Sequence, residues 1–105
     1  MLNEVFSVNT IDREKLIYLL NHLDWYIENC VYDVLSDSVE DPEYSAVTTT
    51  NLIKCYIDIA SSLQLDIPYH TVNEYLKEKC FTPEQIKQFT ESRDRESVYY
   101  IGRQY

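Results

Sequence analysis

A chain of 105 residues with a single glycine, Gly102, has few places to turn tightly. Two-residue hairpins demand positive φ, which glycine supplies most readily. A many-stranded sandwich or barrel is therefore disfavoured, and the chain must be built from elements that join without glycine. Helices meet that condition. Leu16, Leu20, Leu23, Ile27, Val31 and Val34 recur at spacings of three and four, the repeat of an amphipathic helix. Thr10 precedes them, with Asp12 and Glu14 placed to favour the positive end of the helix dipole. The pattern predicts a long first helix over residues 11–36.

Three more helices follow by the same reasoning. The run Thr48-Thr49-Thr50-Asn51 offers caps for a second helix over 48–64, with Leu52, Tyr56, Ile59, Ala60 and Leu63 on one face. The residues before it, Asp37 to Ala46 with Pro42 among them, read as a loop. Thr71-Val72-Asn73-Glu74 is a capping box that opens a short third helix over 71–80. Thr82-Pro83-Glu84-Gln85 combines a cap, proline at the first helical position and a closing Gln. Phe81 and Ile86 are placed to staple this fourth helix, predicted over 83–97. Val98-Tyr99-Tyr100-Ile101 either continues it or forms a short strand with an N-terminal arm carrying Val5, Phe6 and Val8. The expected fold is all-α: a compact bundle of about four helices in one acidic domain, residues 1–105.

Charge narrows the class of partner. The net charge is −9, from eighteen Asp and Glu against nine Lys and Arg. No Lys or Arg occurs between Lys15 and Lys54, an interval that holds Asp24, Glu28, Asp33, Asp37, Glu40, Asp41 and Glu43. Such a surface repels nucleic acid and anionic membranes, and draws in basic proteins over a screening length of about 8–10 Å. No segment approaches the roughly 20 apolar residues of a membrane span. Neither a basic n-region nor an apolar run follows Met1, so no signal peptide is expected. Cys30, Cys55 and Cys80 are odd in number and form no CxxC pair, which points to free, buried thiols in a reducing compartment. A cytoplasmic location is expected.

The sequence offers little for catalysis or metal binding. Only His22 and His70 are present, and no nucleophile elbow, HExxH motif, P-loop or glycine-rich phosphate cradle occurs. The run Asp37-Ser38-Val39-Glu40-Asp41-Pro42 fails as a calcium loop, since Val39 stands at the third ligand position and Pro42 where glycine is needed. Paired Cys or His spacing for zinc is also missing. The expectation is a non-enzyme with no cofactor and no metal.

The most informative feature is a second stripe on the first helix. At about 100° per residue, Tyr18, Trp25 and Tyr32 fall together, nearly opposite the aliphatic stripe. Either another element buries this ridge, or it is a contact surface flanked by Asp24, Glu28 and Asp33. Aromatic anchors with nearby carboxylates suit a basic protein partner. The candidate partner-binding residues are Tyr18, Trp25, Glu28, Tyr32, Asp33, Asp37, Glu40, Asp41 and Glu43. Carboxylates spaced along a helix and its following loop can stand in for the phosphates of a nucleic-acid strand. In size, charge and glycine poverty the chain resembles small phage-encoded inhibitors of restriction or CRISPR systems. The resemblance is one of composition and covers no diagnostic motif.

The function expected from these observations is binding to a basic, nucleic-acid-handling protein, which the chain inhibits or modulates, with mimicry of nucleic acid as one route. An immunity protein or antitoxin against a basic toxin would present the same surface. A homo-oligomeric structural or adaptor module, such as a homodimer, would instead bury the aromatic ridge against a second copy.

Overall fold

Four helices follow one another in the computed structural model, which describes residues 12–36 and 38–103 and, of the side chains, none beyond Arg95. They are α1 (Arg13–Leu35), α2 (Pro42–Ser62), α3 (Val72–Glu78) and α4 (Pro83–Arg103). The described residues contain no strand, and the fold is the all-α bundle that the periodicity predicts. Val98 to Ile101 lie within α4, which corrects the strand option for that segment and extends the helix beyond residue 97. The N-terminal arm, residues 1–9, lies outside the described residues.

The second helix begins at Pro42, six residues before the expected start at Thr48. Asp41 is the reason. Its Oδ1 accepts the Tyr44 N–H at 3.0 Å, and Pro42 takes the first helical position, where a missing N–H costs nothing. The threonines expected as caps sit inside the helix. Thr48 and Thr50 donate their hydroxyls to the carbonyls of Ser45 and Ala46, at 3.0 and 2.8 Å, and so satisfy themselves locally. Of the stretch expected as loop, Pro42 to Ala46 is thus helical, Glu43 and Tyr44 included.

Other caps follow the sequence closely. Asp12 caps α1 through the Glu14 N–H at 2.9 Å. Thr71 and Glu74 form a reciprocal capping box on α3. The His70 and Thr71 N–H groups hold the Glu74 carboxyl below the usual carboxylate range. At α4, Gln85 N–H donates to Thr82 Oγ1 at 3.1 Å while Thr82 N–H donates to Gln85 Oε1 at 2.8 Å.

Helix ends show how the chain manages without glycine. After α2, Leu65 N–H reaches Ala60 O and Gln64 N–H reaches Ser61 O. After α3, Phe81 N–H reaches Leu76 O and Cys80 N–H reaches Lys77 O. Both are Schellman closures, and the residue in the left-handed position is Gln64 (φ 59°) in one and Cys80 (φ 69°) in the other. A side chain there costs about 1–2 kcal/mol, partly offset by glycine's larger loss of chain entropy. Gln64→Gly is therefore expected to stabilise the protein by about 0.5–1 kcal/mol, read as a higher urea midpoint at unchanged slope. A lowered midpoint would refute the left-handed strain at Gln64.

α2 lies at the centre, packed against α1, α3 and α4. Ile27, Val31 and Val34 of α1 meet Ala46, Ile53, Tyr56, Ile57 and Ala60 of α2, together with Tyr75, Leu76, Phe81 and Phe89. Each large aliphatic or aromatic side chain buried here is worth roughly 1.5–3 kcal/mol relative to exposure. Neither α1 nor α2 has a basic residue in its last turn. Donors from elsewhere serve those ends: Gln88 Nε2 reaches Leu35 O at 3.2 Å and Arg13 Nη2 reaches Leu63 O at 2.7 Å.

One polar cluster is set into this core. The Tyr75 hydroxyl donates to Asp24 Oδ1, and the Lys79 ammonium donates to Asp24 Oδ2. Tyr75 is fully buried, with the rings of Tyr56 and Tyr69 at 5.7 and 5.2 Å. Burial, and then the bond to Asp24, push the Tyr75 hydroxyl far above the ordinary tyrosine range.

Candidate functional site

The outer face of α1 is fixed by its inner one. Once Leu20, Ile27, Val31 and Val34 turn into the core, residues on the far side of the helix must face outward. Tyr18 is 63% exposed, Trp25 66% and Tyr32 48%. Among the described residues the aromatic ridge is therefore open, and none of α2, α3 and α4 buries it; the N-terminal arm lies outside the described residues. Tyr32 is the most sheltered of the three, because its ring rests on Phe81 with centroids 4.9 Å apart.

The face is broader than its seven-residue spacing implies. Leu19 and Tyr26 are also more than half exposed and adjoin the ridge on one flank. Their signal was in the sequence: at 100° per residue both fall outside the aliphatic stripe. The Cys30 thiol, one turn beyond Tyr26, holds that phenol above the ordinary tyrosine range. Within the ridge, the Tyr18 and His22 rings meet edge to face at 4.4 Å. Together with Asn21 and Trp25 they line an open depression of about 490 Å³. Asn29 Nδ2 donates to Trp25 O at 2.9 Å and closes off that carbonyl.

The carboxylates divide into two groups. Asp24 is half-buried and bound to Tyr75 and Lys79, so it belongs to the core cluster and not to the outer surface. Asp41 caps α2, and Glu43 pairs with Arg95 of α4 at 3.4 Å. Those three have structural work. Glu28, Asp33 and Glu40 form no side-chain hydrogen bond or ion pair among the described residues, and Asp33 and Glu40 are exposed. Asp37 lies outside the described residues. The structure thus gathers Tyr18, Trp25, Glu28, Tyr32 and Asp33 on one helix, places Glu40 and Asp41 on the connection that follows, and turns Glu43 toward α4.

The remaining chemistry-bearing side chains do not converge. Among the described residues, no group of three or more His, Cys, Asp or Glu is arranged to hold a metal ion. The three cysteines are free. Cys55 and Cys80 are exposed and only Cys30 is half-buried, which corrects the expectation of buried thiols. Cys55 lies on the outer side of α2, next to buried Tyr56, and Cys80 occupies the left-handed turn after α3. No described helix is long and apolar enough to cross a membrane. Compared with protein-family models, curated proteins and solved structures, the chain matches none.

Proposed function

We propose that the chain is a non-catalytic binding protein whose α1 outer face docks a basic, nucleic-acid-handling protein and thereby inhibits or modulates it. The observation that carries this reading is the open row of Tyr18, Trp25 and Tyr32 on one rigid helix. Exposed aromatic residues grouped in this way are costly on a monomer surface and supply the anchors of protein interfaces. Asp33 at the end of α1 and Glu40 in the connection extend the face with charge that no described residue neutralises, on a chain of net charge −9. Charge of this sign steers a basic partner and repels nucleic acid. A basic groove that normally holds a nucleic-acid strand is the kind of surface that such a face would occupy.

The experiment is capture of basic, heparin-retained proteins from native cells on the immobilised chain, followed by titration of the retained protein at several salt concentrations. Affinity is expected to fall with salt. Asp33→Lys combined with Glu40→Lys should weaken binding at low salt by roughly five- to thirtyfold, at about 0.5–1 kcal/mol per rim charge, and flatten the salt dependence. Asp41→Lys is the poorer choice, because it also removes the α2 cap. Binding that is indifferent to the double reversal at low salt would sink the acidic contribution, and failure to retain any basic protein would sink the reading itself.

A further inference from the structure

A second surface has chemistry opposite to that of α1. Between α3 and the first turns of α4 lies a groove of about 670 Å³, lined by Asn73, Lys77, Phe81, Pro83, Ile86, Lys87, Thr90 and Glu91. Its α4 wall comes from residues 83, 86, 87, 90 and 91, successive turns of one helix face, and so runs for about 12 Å. Phe81, Pro83 and Ile86 give it an apolar floor. Lys77 stands on the α3 wall and Lys87 on the α4 wall, both exposed and neither in an ion pair among the described residues. Two unpaired cations facing one apolar groove are notable on a chain with twice as many acids as bases. The Thr90 hydroxyl oxygen, in the same wall, is buried and has no hydrogen-bond partner among the described residues.

We infer that this groove binds a small anionic amphiphile: one carboxylate or phosphate head held by Lys77 and Lys87, with an apolar body on the Phe81–Ile86 floor. Volume and length suit a small ligand, since such sites typically span about 300–1,000 Å³ and combine apolar walls with a few placed polar groups. Charge complementarity selects the head. An ammonium head would meet two lysines, whereas an anion gains two charge-assisted contacts. Glu91 sets the number of charges: standing at the far end of the α4 wall, it repels a second anionic group. A polyanion, such as an acidic helix or a nucleic-acid strand, is excluded on that ground. The ligand carries its charge at one end only. This site does not depend on the reading of the α1 face.

Isothermal titration of the intact chain with decanoate, decyl phosphate, decanol and decylamine tests the inference. One of the two anions should bind one-to-one and saturably below its micelle threshold, and the comparison between them identifies the head. Decanol and decylamine should bind at least about tenfold more weakly, the worth of a single charge-assisted contact. Lys77→Gln and Lys87→Gln should each weaken the anion by about tenfold, and both lysines are exposed, so the fold should survive. Trp25→Ser should leave the anion's affinity unchanged. Decanol or decylamine binding as tightly as the anion would overturn the site. So would unchanged affinity when Lys77→Gln and Lys87→Gln are combined, loss of binding in Trp25→Ser, or the lack of saturable binding by either anion.

Discussion

Asp24→Ala is expected to lower stability by roughly 3 kcal/mol, with a fall in Tm on the order of 15 °C for a domain of this size. The cost arises from what is left behind. Tyr75 is fully buried, and its hydroxyl loses the carboxylate that accepts it. The Lys79 ammonium, with a side chain only 21% exposed, loses its counter-charge. It also stays 5.4 Å from the Tyr75 ring, so it cannot move away without giving up that contact. Two stranded polar groups cost more than the bond itself contributes. Tyr75→Phe removes only the hydroxyl and is expected to cost about 1–1.5 kcal/mol. Asp24→Asn retains an acceptor for Tyr75 but not the charge for Lys79, and should fall between the two. Urea unfolding of the three variants orders them. An Asp24→Ala variant within 0.5 kcal/mol of the parent would show that the cluster is solvated and not part of the core.

Asp24 also shows where sequence reasoning stops. On the first helix it reads as one more member of an acidic face, because nothing local distinguishes it from Glu28 or Asp33. Its partners lie 51 and 55 residues away, and only packing brings them to it. The Glu43–Arg95 pair, 52 residues apart, is hidden for the same reason. Local chemistry was legible. Thr82-Pro83-Glu84-Gln85 specifies the start of α4 by hydrogen bonds within four residues, and the structure places those bonds as the motif implies. The start of α2 was misread because Asp41-Pro42 is ambiguous: Asp before Pro opens a turn or caps a helix, and the threonines downstream offered a competing cap. The aliphatic stripe of α1 was legible from its period. Whether the opposite stripe was covered was not, because that depends on where α2, α3 and α4 settle. They settle on the other side.

The acidic surface is smaller, and the aromatic one larger, than composition implies. With Asp24, Asp41 and Glu43 engaged in structure, Glu28, Asp33 and Glu40 are the described carboxylates of that interval left without a partner. Leu19 and Tyr26 widen the apolar part. Affinity at this face should accordingly rest on its aromatic anchors, and the carboxylates should act mainly on encounter rate and salt dependence.

Trp25 is where that division of labour can be measured. The residue is 66% exposed, so Trp25→Ala should change stability by no more than about 0.5 kcal/mol. The same substitution should weaken partner binding by at least about 2 kcal/mol, or roughly thirtyfold, as expected for a central aromatic anchor. Tyr18→Ala, one face of the adjoining depression, should cost about 1–2 kcal/mol, and Tyr32→Ala should confound binding with stability because its ring also packs on Phe81. Trp25 is the single tryptophan, so its fluorescence reports directly on this face. Docking should shift its emission to shorter wavelength as water leaves the indole. Sedimentation of the free chain at micromolar concentration separates the two ways of covering the ridge. A monomer whose Trp25→Ala variant keeps its stability and loses its partner fits docking of another protein. A dimer that Trp25→Ala dissociates would mean that the ridge belongs to a second copy of the chain, and the basic-partner reading of this face would be abandoned.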